Sequence, residues 1–266
     1  MPIELDAGEA KQLESVCRRA RRSVLRMAHA GRCEGLSGAL SLVDMLVVLY
    51  HKCLYVDPAN PQLPDRDRLV LSKSHASAAA LAVMAERGYF APDSLLTETD
   101  PGKWLDAPDA SPGQGLSVAL GMALAARMGQ HPCHVYAVAG DGELQNGEMW
   151  EAVMFAGARM LDNLTLLVDR NGLQGSGRVD DQLTLNPLPD KFRAFNWNVL
   201  IVDGHNVRAL THAISLAREY INVPTVVIAN TVSGKGFGLA ENREEWRRRR
   251  VTAEELAQAI QELSGE

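Results

Sequence analysis

The chain has 266 residues, of which 46% are hydrophobic and 23% charged, and this composition is typical of a globular protein. Its formal net charge of −6 gives no electrostatic reason to expect a nucleic-acid partner. We interpret the two basic runs, residues 17–22 and 246–250, as solvated helix faces. No apolar run approaches the roughly 20 residues of a membrane span, so no membrane association is expected.

The cysteines and the N-terminus favour a cytoplasmic protein. Cys17, Cys33, Cys53 and Cys133 show no Cys-x-x-Cys spacing, which indicates reduced thiols rather than a disulfide framework. The acidic N-terminus lacks the apolar region of a secretory signal. We therefore predict a cytoplasmic location.

Helices and apolar strands alternate along the chain. In chain order, the pattern predicts a helix over 8–28, a helix over 40–54, a strand over 66–72, helices over 75–88 and 117–128, a strand and turn over 134–142, a helix over 147–160, a strand and turn over 163–172, a strand over 198–204, a helix over 207–220, a strand over 224–232 and a helix over 252–263. Strands that are apolar throughout are typical of a parallel sheet covered on both faces. We predict an α/β fold with a doubly wound, mostly parallel sheet, in which residues 1–266 form one domain. The stretch 97–115 is rich in Pro, Gly and Asp and is predicted to be a mobile loop.

Two polar turns follow neighbouring strands of this sheet. Asp141 lies just past one strand and Asn171 just past the next, and one βαβ crossover puts both turns at the same sheet edge. A carboxylate, an amide and the Leu173 carbonyl offer the oxygen ligands that Mg²⁺ prefers. Gly140 and Gly142 allow a diphosphate to approach the backbone closely. A Gly-Asp-Gly turn alone is more often only a turn, so the prediction depends on both turns together.

The segment GDGELQNGEMWEA…LDNLTLLVDRNGLQ resembles the thiamine-diphosphate motif of transketolases, in the form carried by the N-terminal half of a split enzyme. The segments RDRLVLSKSHASAAALAVMAERGYF, SPGQGLSVALGMALAARM and TVSGKGFGLAENREEW resemble other parts of the same family. The match runs from about residue 10 to the end of the chain. It implies the thiamine-diphosphate-binding fold, with thiamine diphosphate and Mg²⁺ as cofactors.

The resemblance also implies roles for particular residues. It assigns the metal to Asp141, Asn171 and the Leu173 carbonyl, and it assigns catalytic roles to His75 and Glu151, the latter in a carboxylate network near a subunit interface. Cofactor contacts are implied for His75, Ser111, Gly113, Gly140, Asp141, Gly142, Glu143 and Asn171. Without such roles, His75 would be a helix-capping or core histidine and Glu151 an ordinary surface glutamate.

In transketolases the cofactor lies between two domains, and no segment of this chain resembles the second. The resemblance therefore implies a partner chain that carries the pyrimidine-binding domain and its catalytic glutamate, in an α2β2 assembly. The expected reaction is transfer of a two-carbon ketol unit from a ketose phosphate to an acceptor.

The chain departs from the family where the substrate channel usually carries histidines. Gly35 and Arg247 stand at two such positions, and the short loop 97–112 supplies no histidine. Asn146 replaces a glutamate that is common after the Gly-Asp-Gly turn. Arg247 is either an exposed arginine or a residue that binds an anionic group through two hydrogen bonds.

These departures leave other functions open. The acceptor is either a sugar phosphate, as in a divergent transketolase, or an unusual one, such as the thiol of an acyl carrier protein or an intermediate of specialised metabolism. A non-catalytic regulatory paralogue is the second alternative. The α subunit of a 2-oxo acid dehydrogenase is a third, although the SKSH and GQGLSVALGMALA segments are more similar to transketolase.

Overall fold

A five-stranded parallel sheet forms the centre of the computed structural model, which describes residues 1–97, 105–107, 111–175 and 177–264. Its strands are β1 (Arg68–Leu71), β2 (Val135–Gly140), β3 (Leu164–Arg170), β6 (Asn198–Asp203) and β7 (Thr225–Asn230), in the order β1-β2-β3-β7-β6. Two short strands, β4 (Leu173–Gln174) and β5 (Gly177–Arg178), form a separate antiparallel pair. All four neighbouring pairs of the large sheet are parallel. This confirms the prediction made from the apolar sequence of the strands.

Helices cover both faces of the sheet. They are α1 (Ala7–His29), α2 (Leu36–Val48), α3 (Ser77–Arg87), α4 (Gly115–Met128), α5 (Gly147–Ala158), α6 (Val179–Gln182), α7 (Leu188–Ala194), α8 (Val207–Ala217) and α9 (Ala253–Glu262). Tighter 3₁₀ turns span Ser74–Ala76, Pro92–Leu96, Asp141–Gln145 and Glu244–Trp246, and a π turn at Leu49–Cys53 extends α2.

Alternate side chains of each strand enter two separate hydrophobic clusters. On β2, Tyr136 and Val138 pack with α1, α2, α3, α8 and α9. Val135, Ala137 and Ala139 on the same strand pack with α4, α5 and α7. Since successive strand residues point to opposite faces, both faces must be apolar, and the prediction of a doubly wound α/β fold is confirmed.

The register of the sheet brings the two polar turns together. Gly140, the last residue of β2, is the partner of Asp169 on β3. Asp141 directly follows Gly140, and Asn171 lies two residues after Asp169, so both turns lie at the carboxyl edge of the sheet, where the Gly172 N–H donates to Asp141. Their common position agrees with the single crossover that separates them in the sequence.

Two expectations need correction or restriction. The segment Leu36–Cys53 is long and apolar enough to cross a membrane by length and composition, contrary to our expectation, but 83% of this window is buried inside the protein. Of the predicted mobile stretch 97–115, residues 98–104 and 108–110 lie outside the described residues. Asp106, within that stretch, accepts two hydrogen bonds from Arg66, at 2.7 and 2.9 Å.

The two basic runs are not simply solvated helix faces. In the first run, Arg21 lies on the buried side of α1 and is 6% exposed. In the second run, residues 246–250 form no helix beyond the end of a 3₁₀ turn. Trp246 is 2% exposed there, and the Arg249 guanidinium lies 4.3 Å from the centre of its ring. The first interpretation holds for the exposed Arg19 but not for Arg21, and the second was wrong, because charge patterning does not show which arginine has a buried partner.

A buried polar network joins four parts of the fold. Asp44 on α2 accepts a hydrogen bond from Arg21 at 3.0 Å and contacts the Nδ1 atom of His205 at 2.6 Å. The Nε2 atom of His205 accepts the Val232 N–H at 2.8 Å. Burial raises the pKa of Asp44, but the Arg21 charge and the hydrogen bond from His205 outweigh it and hold that pKa well below 3.8. The charged carboxylate therefore stabilises the folded state.

We expect Asp44→Asn to lower the free energy of unfolding by about 3–5 kcal/mol at pH 7, because it leaves the buried Arg21 guanidinium without its counter-charge. The folded pKa is depressed, so the stabilisation is fully present above the unfolded pKa of 3.8 and is lost as pH falls below it. Urea unfolding of both proteins between pH 7 and pH 3 measures this. Asp190→Asn is the control, since Asp190 forms an exposed pair with Arg193 worth about 0.5 kcal/mol; equal losses in both variants would contradict the prediction.

Candidate functional site

A cavity of about 230 Å³ opens at the carboxyl edge of the sheet, where ligands of open α/β sheets bind. The residues after β1, β2 and β3 line it, together with the N-terminal turn of α2 and the segment before Arg247. Among the lining residues are seven that the sequence predicted: His75, Gly140, Asp141, Gly142, Glu143, Asn171 and Leu173.

Three predicted residues lie outside the lining of this cavity, as far as the structure describes it. Ser111 is exposed at the surface, before α4. Gly113 is buried, has φ +92° and faces the side chain of Asn146. Glu151 is exposed on the side of α5 that turns away from the sheet. The roles of these residues stay predictions.

Asp141 is a buried carboxylate held by backbone donors. Its Oδ1 atom accepts the Gly142 N–H at 2.9 Å, and its Oδ2 atom accepts the Gly172 N–H at 2.8 Å. Each oxygen keeps a further lone pair. Burial and the negative charge of Asp169 raise the pKa of Asp141 to about 6. A cation in the cavity would offset both effects and keep the group ionised.

The amide of Asn171 is oriented by its neighbours. Its Oδ1 atom accepts the Leu173 N–H at 3.0 Å, and its Nδ2 atom donates to Asp169 at 3.0 Å and to the Ser41 hydroxyl at 3.3 Å. These contacts fix which end of the amide is oxygen. That oxygen keeps one lone pair beside Leu173.

A buried ion pair that sequence reasoning missed lies beneath these residues. Lys73 donates to Asp169 at 2.5 Å, and the two side chains are 6% and 0% exposed. Asp169 also accepts hydrogen bonds from Ser41, at 2.7 Å, and from Thr231. The sequence did carry one signal for this ion pair. Lys73 and Asp169 both stand at the end of an apolar strand, where a buried charge needs a partner of opposite charge.

Glu143 joins the Gly-Asp-Gly turn to the start of α4. Its Oε1 atom accepts the Gly140 N–H at 2.8 Å, and its Oε2 atom accepts the Gly113 N–H at 2.8 Å and the Ser72 hydroxyl. The carboxylate therefore fixes the wall of the cavity. The direct cofactor contact that the resemblance implies for Glu143 stays a prediction.

His75 packs against two glycines of the α2 N-terminus. A Cβ atom on Gly35 would lie 2.4 Å from the Cδ2 atom of His75, and one on Gly38 would lie 3.4 Å from its Nε2 atom. A larger residue at position 35 would therefore displace the ring. Burial and the positive charges of Lys73 and Arg247 lower the pKa of His75 to about 3. The imidazole is neutral at physiological pH and can donate one hydrogen bond and accept another.

The oxygen donors of the cavity fit a hard cation. The described residues contain no group of three or more His, Cys, Asp or Glu side chains suited to a metal. The Asp141 carboxylate, the Asn171 amide and the Leu173 backbone instead offer three oxygens of different kinds. Such a partial set suits Mg²⁺, which shares its octahedral sites with water and phosphate oxygens. Fold and site together define an α/β protein with an oxygen-lined cavity at the carboxyl edge of its parallel sheet.

Comparison with known proteins places the chain in a family. The model of the transketolase thiamine diphosphate binding domain matches residues 24–98 and 105–265, and the chain belongs to this family. It is 39% identical over 243 residues to a 6-deoxy-6-sulfo-D-fructose transketolase subunit from Clostridium sp. (strain MSTE9), covering 87% of this chain and 88% of that protein. It is 33% identical over 270 residues to an apulose-4-phosphate transketolase subunit from Actinobacillus succinogenes, covering 96% and 97%.

Some longer relatives are similar to this chain over only part of their length. Human transketolase is 32% identical over 270 residues, which are 97% of this chain but 43% of that protein. The crystal structure of transketolase from Campylobacter jejuni superposes with a TM-score of 0.86 at 27% identity, covering 96% of this chain and 43% of that one. The chain thus spans less than half of these relatives, whereas the two relatives of similar length are named as subunits.

The packing of α4 against the cavity wall gives a testable difference between two glycines. A Cβ atom on Gly115 would lie 2.4 and 2.6 Å from the Cβ and Cα atoms of Ser72, whereas one on Gly121 would meet nothing within 4 Å. We expect Gly115→Ala to lower the free energy of unfolding by about 1–3 kcal/mol. Gly121→Ala, the control in the same helix, should raise it by about 0.5–1 kcal/mol. Urea unfolding measures both, and similar effects would contradict the close contact.

Proposed function

We propose that the chain is the diphosphate-binding subunit of a thiamine diphosphate-dependent, transketolase-like transferase. It works with a partner and moves a two-carbon ketol unit from a ketose phosphate to an acceptor. When bound, thiamine diphosphate supplies the carbon nucleophile and the electron sink for cleaving a carbon–carbon bond. The residues of this chain bind and orient its diphosphate end.

The observation that carries this proposal is the meeting of Asp141, Asn171 and Leu173 at one point of the sheet edge. In this proposal their oxygens would hold Mg²⁺, which would neutralise the charge of the diphosphate. Gly140 and Gly142 line the same cavity, and the backbone of Gly140 would allow phosphate oxygens to approach closely. The neutral imidazole of His75 donates a hydrogen bond to the diphosphate, as the resemblance implies.

We expect Asp141→Asn to weaken Mg²⁺-dependent binding of thiamine diphosphate about tenfold to a hundredfold, because the charged ligand is lost while the shape of the side chain is kept. Calorimetric titration of the assembled complex with thiamine diphosphate and Mg²⁺ measures this. Asp65→Asn is the control, since Asp65 is an exposed carboxylate before β1, paired with His131. Unchanged affinity in Asp141→Asn would remove the basis of the metal assignment.

An exposed face of α5 supports the need for a partner. Glu151, Met154 and Phe155 follow one another at helical spacing, and Met154 and Phe155 are 53% and 40% exposed. Apolar side chains that cluster on one exposed helix face are characteristic of interaction surfaces. We propose that this face contacts the partner chain, that Glu151 belongs to the contact, and that the assembly is α2β2.

The reaction is tested by assembling the chain with a partner that carries the pyrimidine-binding domain. We expect xylulose 5-phosphate and ribose 5-phosphate to give sedoheptulose 7-phosphate with the pair and none with either polypeptide by itself. Turnover by this chain alone would refute the half-site proposal. Tight binding of the cofactor without sugar transfer would favour another acceptor, such as the thiol of an acyl carrier protein.

The intact set of Asp141, Asn171 and His75 argues against the non-catalytic paralogue, since such a protein has no need of oriented metal ligands. The altered residues Gly35 and Arg247 lie on the substrate side and support a changed substrate rather than a lost cofactor. A cytoplasmic location is part of the proposal and is tested by fractionation of the source cells.

A further inference from the structure

The four arginines of the second basic run have different surroundings. Arg249 stacks on Trp246 and contacts Glu255 at 2.5 Å. In contrast, no carboxylate oxygen of the described residues lies within 4.0 Å of a side-chain nitrogen of Arg247 or Arg248. Within the described part of the chain, these two neighbouring guanidinium groups thus form no ion pair.

Arg247 and Arg248 lie at the mouth of the cofactor cavity. Arg247 lines the cavity itself, together with His75 and Asn171. Arg247 and Arg248 both line two outer cavities of about 520 and 580 Å³, in which neither Asp141 nor Asn171 takes part. The pair therefore stands between the metal-binding end of the cavity and the solvent.

The position of Arg247 is fixed by its backbone. The Leu36 N–H donates to the Arg247 carbonyl at 3.1 Å, which joins position 247 to the start of α2 beside Gly35. The Nη1 atom of Arg247 would lie 3.5 Å from a Cβ atom on Gly175. The guanidinium thus reaches across the mouth to the segment that follows Leu173.

The charges around Arg247 favour an anionic ligand. Burial and the neighbouring charge of Arg248 lower the pKa of Arg247, yet a guanidinium stays protonated at every physiological pH. Glu34 and Glu245 line the outer cavities, and Glu244 lines both the cofactor cavity and one outer cavity. All three carboxylates are exposed, and water screens their charges. The half-buried guanidinium of Arg247 lies beside that of Arg248, and an oxyanion that accepts two parallel hydrogen bonds from it would stabilise it.

We propose that Arg247, assisted by Arg248, binds a phosphate-type oxyanion of the substrate at the mouth of the cofactor cavity and thereby selects anionic sugars. This inference rests on the proposed function. The same chemistry is offered by the diphosphate of the cofactor, so the experiment must separate the two sources. The substrate is favoured because Arg248 borders only the outer cavities.

A first experiment observes the guanidinium directly. The ¹⁵N-labelled full chain, with thiamine diphosphate and Mg²⁺ present, is titrated with inorganic phosphate, and the Arg247 Nε–Hε signal is assigned by its loss in Arg247→Gln. We expect this signal to shift with phosphate, and to do so equally in Asp141→Asn. The titration is repeated without thiamine diphosphate, and a response to phosphate that appears only in its absence would place the guanidinium on the cofactor and overturn the proposal. Absence of any response would overturn it as well.

A second experiment measures selectivity in the assembled enzyme, with xylulose 5-phosphate and xylulose as donors. We expect Arg247→Gln to lower the ratio of their kcat/KM values about tenfold to a hundredfold, because charged hydrogen bonds to the phosphate are lost. Arg249→Gln is the control and should keep the ratio. An equal loss for both donors would refute the selective role. If the wild-type assembly transfers no ketol unit, the proposed function fails, and the phosphate titration still decides the anion site.

Discussion

The buried ion pair of Lys73 and Asp169 is the interaction on which the site depends. Lys73 follows β1 and Asp169 lies near the end of β3, so the pair spans β2 and fixes three strand ends relative to one another. Lys73 also donates to the Gly38 carbonyl at 3.3 Å, which adds the start of α2. Loss of one partner of a buried ion pair lowers the free energy of unfolding by about 3–5 kcal/mol. A substitution of Lys73 or Asp169 would therefore both destabilise the protein and displace the strand ends that form the cavity.

The same pair decides which carboxylate is available to a cation. Asp169 is paired with Lys73, and its oxygens accept hydrogen bonds from Ser41, Asn171 and Thr231. Asp141 has no cationic partner of its own in the described structure, and burial and the negative charge of Asp169 raise its pKa. The inner carboxylate of Asp141 and the guanidinium of Arg247 at the mouth are thus both without an ion-pair partner in the described residues. A cation within and an anion outside would complete this arrangement.

Local pattern was enough to predict the sheet, its helices and the meeting of Asp141 with Asn171, because strand ends and crossover geometry are encoded in short segments. Element boundaries were less accurate, since α2 begins at Leu36 rather than 40, and the β4–β5 pair, α6 and α7 were missed. The network around Asp169 was also missed, since its partner Ser41 lies 128 residues away. No periodicity reveals which distant polar groups meet, and the buried pairing of Arg21 with Asp44 was overlooked for the same reason.

The differences between this chain and the transketolase pattern lie at the mouth of the cavity rather than at its inner end. At the inner end of the cavity, Asp141 and Asp169 are buried and bonded to several elements, so a substitution there would leave uncompensated polar groups. At the mouth, Arg247 is held through its backbone carbonyl, which accepts the Leu36 N–H. Substitution at the mouth disturbs few hydrogen bonds. A scaffold of this kind can therefore keep the part that holds the diphosphate while the part that meets the substrate changes.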